Sequence, residues 1–300
     1  MFKNIKTVGI LVLGIAILLV VGFPSVDAQI APPRGNNIAP VFEGWEENED
    51  GSFNLLFGYF NRNWDEMPHI PIGPNNNIEP SGPDYGQPTY FYPRRNRFIF
   101  KVQVPADFGD QELVWTLTVN GETERAYGSL LIDYFTDDTV IMNNKGAGGG
   151  GGGMYDLEGN IAPTLILEGE KTRRVSVGES VDFSAISTDD GLPPTRPLPN
   201  IPFSFRVTPD SASGLRVSWF VYRGSGNDVT FTPNQISVWE DMRDGANSAW
   251  ASGWAAPDAP PEDRWKASAT FAEPGTYVIR TWADDGGLMS FEDVTVVVTG

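Results

Sequence analysis

Apolar and polar residues alternate with a period of two along much of the second half of the chain. Val181, Phe183 and Ala185 alternate with Asp182 and Ser184. Leu215, Val217, Trp219 and Val221 alternate with Arg216 and Ser218, and Tyr277, Ile279 and Ala283 with Val278 and Arg280. Val294, Val296 and Val298 form a last apolar row. Period-two patterning between turn residues predicts half-buried β-strands. The first half reads the same way. Residues 42–45, a turn at Asn48-Glu49-Asp50-Gly51 and residues 53–60 predict a hairpin. Residues 98–104 predict a strand. Residues 113–119 and 122–127 predict a second hairpin around Asn120-Gly121, because both turn residues tolerate positive φ.

Between the two hairpins lies a Pro-, Gly- and Asn-rich excursion, residues 68–93. Its seven prolines exclude a central strand. It is expected to be an ordered surface excursion over the sandwich or an interaction loop. Residues 130–143 can include one short helix. The glycine-rich run 146–153 is expected to join two domains. Asn37-Ile38-Ala39-Pro40 recurs as Asn160-Ile161-Ala162-Pro163, each copy placed to lead into a first strand. These signals predict an all-β chain of two β-sandwich domains: a signal peptide 1–28, an N-terminal domain 29–145, a linker 146–153 and a second domain 154–300.

The second domain reads as immunoglobulin-like. Trp219 lies on the third main strand, where such a core expects a buried Trp. Pro274-Gly275-Thr276-Tyr277 is a turn followed by a strand-opening Tyr, as in a tyrosine corner. Together with Val177-Gly178-Glu179-Ser180-Val181 and the loops Asp189-Asp190-Gly191 and Asp284-Asp285-Gly286, the region 160–300 resembles PKD-type and cadherin-like modules of bacterial surface proteins. It departs from them at Thr281, where an apolar inward residue is usual, and in a long stretch at 229–264. The N-terminal half resembles secreted bacterial proteins, a likeness that implies no activity.

The chain's first residues carry an export pattern. Lys3 and Lys6 precede an apolar run at 8–21, and Val26-Asp27-Ala28 places small residues for cleavage after Ala28. The run is shorter than the ~20 residues of a spanning helix, so no stable membrane anchor is expected after cleavage. The expected location is the periplasm, the outer surface or the extracellular space.

Composition narrows the chemistry. The 300 residues carry 21 Lys+Arg, 39 Asp+Glu, one His and no Cys, a formal charge of −18. This acidity argues against nucleic acid as a partner, because its phosphates need Lys and Arg. The lack of Cys excludes disulfides and thiolate chemistry. His69, beside Asp65 and Glu66, is expected at the surface with a raised pKa. No GxSxG elbow, HExxH or P-loop motif is present, so a non-catalytic protein is expected.

Two site candidates follow. An immunoglobulin topology brings the B–C and F–G loops to one pole. Asp189, Asp190, Asp284 and Asp285 would then join Asp156, Glu158 and Asn160 as an oxygen-rich set able to hold Ca²⁺; solvated acidic turns are the alternative. Cadherin-like modules place interdomain calcium at such a pole. Trp239, Trp250, Trp254 and Trp265 bracket an Asp/Ala/Pro-rich stretch, either as a sugar-stacking surface or as a flap pinned to the sandwich. Arg94, Arg95, Arg97 and Lys101 either hold an acidic partner or balance neighbouring acids. Three function classes remain: adhesion or assembly at the envelope with a surface glycan or envelope protein, carbohydrate binding through the Trp-rich insertion, and a self-assembling surface-layer or filament subunit.

Overall fold

Six strands and a helix build the first half of the computed structural model, which describes residues 33–80, 82–147, 157–200 and 210–300. The strands are β1 (Ile38–Glu47), β2 (Phe53–Asn61), β3 (Asn76–Glu79), β4 (Arg94–Val104), β5 (Leu113–Val119) and β6 (Glu122–Gly128), followed by α1 (Asp138–Lys145). One sheet has the order β1-β2-β4 and the other β3-β5-β6. Asn120 and Gly121 take positive φ, 53° and 84°, at the β5–β6 turn. The expected hairpins and the short helix are therefore present. The signal sequence and the glycines 148–153 lie outside the described residues.

Aromatic rings fill the space between these sheets. Phe57 stacks on Phe100 at 5.3 Å, and Trp115 meets Phe100 edge-on at 5.0 Å. Such geometries add about 0.5–1.5 kcal/mol per pair to the burial itself. The Trp115 indole N–H donates to Asn76 Oδ1 at 3.0 Å, and the Asn76 amide donates to the carbonyls of Ile70 and Pro88. One buried asparagine thus ties the proline-rich excursion together. The excursion contributes only an edge strand, β3, as its prolines require.

The second half contains β7 (Ile166–Glu168), β8 (Thr172–Ser176), β9 (Ser180–Ile186), β10 (Arg216–Arg223), β11 (Val229–Thr232), β12 (Arg264–Phe271), β13 (Gly275–Asp284) and β14 (Met289–Thr299). The sheets are ordered β10-β13-β14-β8 and β11-β12-β9-β7. The first strand region is shared between them: β7 joins one sheet beside β9, and β8 joins the other, parallel to β14. This is an immunoglobulin-like sandwich. Trp219 is buried in its core, and the Tyr277 hydroxyl donates to the Glu273 carbonyl at 3.0 Å, forming the tyrosine corner.

Strand β10 is buried on both faces, from Arg216 to Tyr222. Val217, Trp219 and Val221 face the second sandwich core, while Phe220 and Tyr222 belong to the core cluster of the first half. Trp282 of β13 joins them there. The backbone N–H groups of Thr89 and Tyr90 donate to the Tyr222 carbonyl at 3.1 and 3.4 Å. Arg280 reaches the Ile99 carbonyl at 2.5 Å. The excursion is therefore wedged against the second sandwich. Pro33–Gly300 forms one compact unit, so the two sandwiches are successive in sequence and joined in space.

Candidate functional site

The acidic pole is chemically closed. Asp284 sits 2.7 Å from Lys145 Nζ and 2.8 Å from an Arg216 guanidinium nitrogen, and all three side chains are buried. The Trp282 indole N–H and the Gly286 N–H also donate to it, at 3.1 and 2.7 Å. Burial alone would raise the Asp284 pKa, but Arg216 and Lys145 outweigh it and hold the carboxyl at about 2. Asp285 accepts from the N–H groups of Gly287 and Leu288 and from the Asn160 amide at 3.2 Å. Burial pushes its pKa up to about 7; Lys145 works against this and the charge of Asp284 adds to it.

The other expected calcium ligands are placed differently. Asp189 Oδ2 accepts from the Gly191 N–H at 3.0 Å, and Asp190 accepts from Leu192 at 2.8 Å and from Ile161 at 3.0 Å. The bonds to Gly191 and Leu192 are local turn bonds, while the Ile161 bond ties this loop to the segment that enters the second sandwich. Glu158 is exposed, and Asp156 lies outside the described residues. Among the described residues no three His, Asp or Glu side chains are grouped to hold a metal ion. The structure does unite Asn160 with Asp285, but the cations beside Asp284 come from the protein. Lys145, on α1, was not part of the expected set.

The four tryptophans do not form one exposed platform. Trp239 is buried and meets Trp64 edge-on at 6.4 Å. Trp250 is buried in a small cluster with Leu198, Ala212 and Ala249, against which Trp254 packs. Trp250 and Trp254 lie in irregular turns rather than on one helix face. Trp265 is on β12, packed against the second core. The insertion is thus a flap pinned by its tryptophans, and Trp239 borders a cavity of about 360 Å³.

The basic cluster balances acids. Arg95 is bidentate to Glu43 at 2.7 and 2.8 Å, Arg97 pairs with Glu240 at 2.7 Å, and Lys101 with Glu46 at 3.1 Å. Arg94 lies over the ring of Trp64 at 4.5 Å. The His69 pKa is lowered by burial, with Asp228 opposing the shift. The expected rise from Asp65 and Glu66 is not found.

An apolar ridge emerges that patterning did not single out. Leu131, Ile132, Tyr134 and Phe135 are all exposed, Ile132 to 76%. They lie on a single 3-10 turn clipped to the outer edge of β1. The Trp45 indole N–H donates to the Leu131 carbonyl at 2.8 Å, and the Thr136 N–H donates to the Trp45 carbonyl at 2.9 Å. Gly44, at φ 127°, allows this approach: a Cβ there would collide with Thr136 Oγ1 and lie 2.6 Å from the Tyr134 carbonyl oxygen. The sequence signal was the run Leu130-Leu131-Ile132, which carries too few polar residues for a free loop.

No protein-family model matches the sequence, and no curated protein matches it. Among solved structures, the chain is similar to immunoglobulin domains 1–4 of Sidekick-1, at 10% identity over 87% of this chain and 48% of that one, TM-score 0.24. It is similar to fibronectin(III)-like modules of Clostridium thermocellum CbhA, at 10% identity over 88% and 94%, TM-score 0.22. It is also similar to the Yersinia pseudotuberculosis adhesin InvE, at 11% identity over 88% and 59%, TM-score 0.22. The chain spans about half the length of the Sidekick-1 fragment, 48%, and 59% of InvE. At these scores the immunoglobulin-like assignment rests on the strand order and the tyrosine corner described above.

Proposed function

We propose that the chain is an exported, non-catalytic protein that works by adhesion or assembly at the cell envelope, holding a partner on the ridge of residues 131–135. The observation that carries this reading is the exposure of four large apolar side chains within five residues. Burying a side chain of this size stabilises by about 1.5–3 kcal/mol relative to leaving it in water. Contiguous exposed apolar surface of this kind marks interaction sites. The ridge is held in place by a glycine and an indole hydrogen bond, so it is a built surface and not a frayed end. Asp133 sits within it, and the chain carries a charge of −18. Two copies would bring like charges together, which favours a neutral or basic envelope partner over a second copy.

The test compares wild-type protein with a Leu131→Asp/Ile132→Asp variant of matched melting temperature. Saturable co-sedimentation with isolated bacterial envelopes, lost in the variant, supports the reading. Concentration-dependent oligomers in sedimentation velocity, lost in the variant, would assign the ridge to self-assembly instead. A monomer that ignores envelopes overturns both.

A further inference from the structure

A groove of about 360 Å³ opens where the first half, α1 and the second sandwich meet. Its floor is the open side of a small core cluster: Leu56 of β2, Phe98 of β4, Ile141 of α1 and Leu288 of the F–G turn. The floor residues are buried, but the rim is open. Ile161, on the segment that leads into the second sandwich, is 68% exposed, and Ala162 and Met289 are only partly buried. This rim is fixed in place. The Ile161 N–H donates to Asp190 Oδ2 at 3.0 Å, and the preceding Asn160 amide donates to Asp285 at 3.2 Å. The exposure of Ile161 is therefore built into the fold and is not that of a loose loop.

The mouth of the groove is charged. Glu46, Lys101 and Asp138 border it. Lys101 pairs with Glu46 at 3.1 Å. Burial raises the Asp138 pKa, Glu46 and Asp137 add to the rise, and Lys101 opposes it. Three carboxylates thus face one ammonium at this end, and Asp138 is left without a cation of its own.

We propose that the groove holds a segment of a partner protein that presents one bulky apolar side chain beside a Lys or Arg. The apolar anchor would cover Ile161 and Met289 and fill the space above the floor. The partner's cation would answer the uncompensated charge at Asp138. The volume lies at the low end of the ~300–1,000 Å³ usual for ligand sites, which fits an anchoring side chain and its neighbour. An acidic peptide or an anionic lipid headgroup would meet the same carboxylates with like charge. A second copy would bring another chain of charge −18 to an already acidic mouth. The groove contains none of residues 131–135, so this inference does not depend on the role of the ridge.

The test titrates the full chain with short synthetic peptides that carry a central Leu or Phe flanked by Lys, by Ser or by Glu. Binding is read from the Ile161 methyl resonances, assigned with Ile161→Val, and from calorimetry. Lys-flanked peptides are expected to bind saturably, to shift those resonances and to weaken with added salt. Ser-flanked peptides are expected to bind more weakly, and Glu-flanked peptides more weakly still. Asp138→Asn is expected to weaken Lys-flanked binding ~3-fold and to leave Ser-flanked binding unchanged. Ile161→Ser is expected to weaken both ~10-fold without changing the melting temperature, because its side chain is exposed in the free protein. Leu131→Asp is expected to leave every affinity unchanged, whereas loss of binding in that variant would assign the peptides to the ridge and overturn the proposal. It is also overturned if no Lys-flanked peptide binds saturably, if Glu-flanked peptides bind as tightly, or if Ile161→Ser binds like wild type. Ile161 shifts that follow protein concentration alone would assign the groove to a second copy and overturn it as well.

Discussion

Lys145 Nζ lies 2.7 Å from Asp284 Oδ2, and both side chains are buried. This pair bolts the helix that ends the first half to the F–G turn of the second sandwich. Arg216 flanks the same carboxylate at 2.8 Å. Removing one partner of a buried pair leaves a charge without compensation, a loss of about 3–5 kcal/mol. Because Arg216 remains, Lys145→Met is expected to fall at the low end, about 3 kcal/mol, in urea unfolding at pH 7. The Asp284 carboxyl is held at about 2 against an ordinary value of 3.8. Its contribution is therefore complete above about pH 4 and fades as the pH drops toward 2. Lys145→Met is expected to move that acid limb upward. An unchanged acid limb would mean that the pair does not stabilise the fold.

The neighbouring Asp285 has the opposite sign. Its pKa is raised by burial to about 7, so the folded state binds a proton that the unfolded state releases near 3.8. Stability from this group is present below about pH 4 and is lost as the pH rises toward 7, a change of about 4 kcal/mol. Asp285→Asn is expected to remove this slope and to raise the melting temperature at pH 7. The introduced amide can donate to Asn160, whose buried Oδ1 otherwise has no partner. A variant less stable at pH 7 would contradict the assignment.

Thr281 faces Trp219 directly across the β10–β13 ladder, and it is fully buried. Its hydroxyl has no hydrogen-bond partner. Leaving such a group unsatisfied costs about 1–3 kcal/mol. Thr281→Val keeps the shape and removes the hydroxyl, so it is expected to stabilise the protein by about 1 kcal/mol in chemical unfolding. Destabilisation would show that the hydroxyl has a partner in solution.

Much of the fold was legible because local rules dominate it. The Asn120-Gly121 turn, the strand alternation and the buried Trp219 all follow from nearby residues. Thr281 stood out in the sequence as a break in the apolar pattern, and it proves to be an inward hydroxyl. The pole at Asp284 was misread because its chemistry depends on long-range partners. Lys145 is 139 residues away in sequence, and nothing near Asp284 announces it. The doubly buried face of β10 had a sequence sign that alternation concealed: Phe220 and Tyr222 continue the row of Arg216 and Ser218 with apolar rings. Spacing alone put the tryptophans of the insertion together, and the irregular turns at 250–254 send them to different neighbours.

The shared face of β10 and β13 also constrains how the chain can reach its native state. Phe220, Tyr222 and Trp282 are covered by the first half, not by their own sandwich. A second sandwich formed alone would present these rings as a sticky aromatic surface, prone to aggregation. The first half, which emerges earlier during synthesis, would therefore serve as an intramolecular chaperone for the second. Separating the halves for expression removes that protection, however well each set of strands can pair.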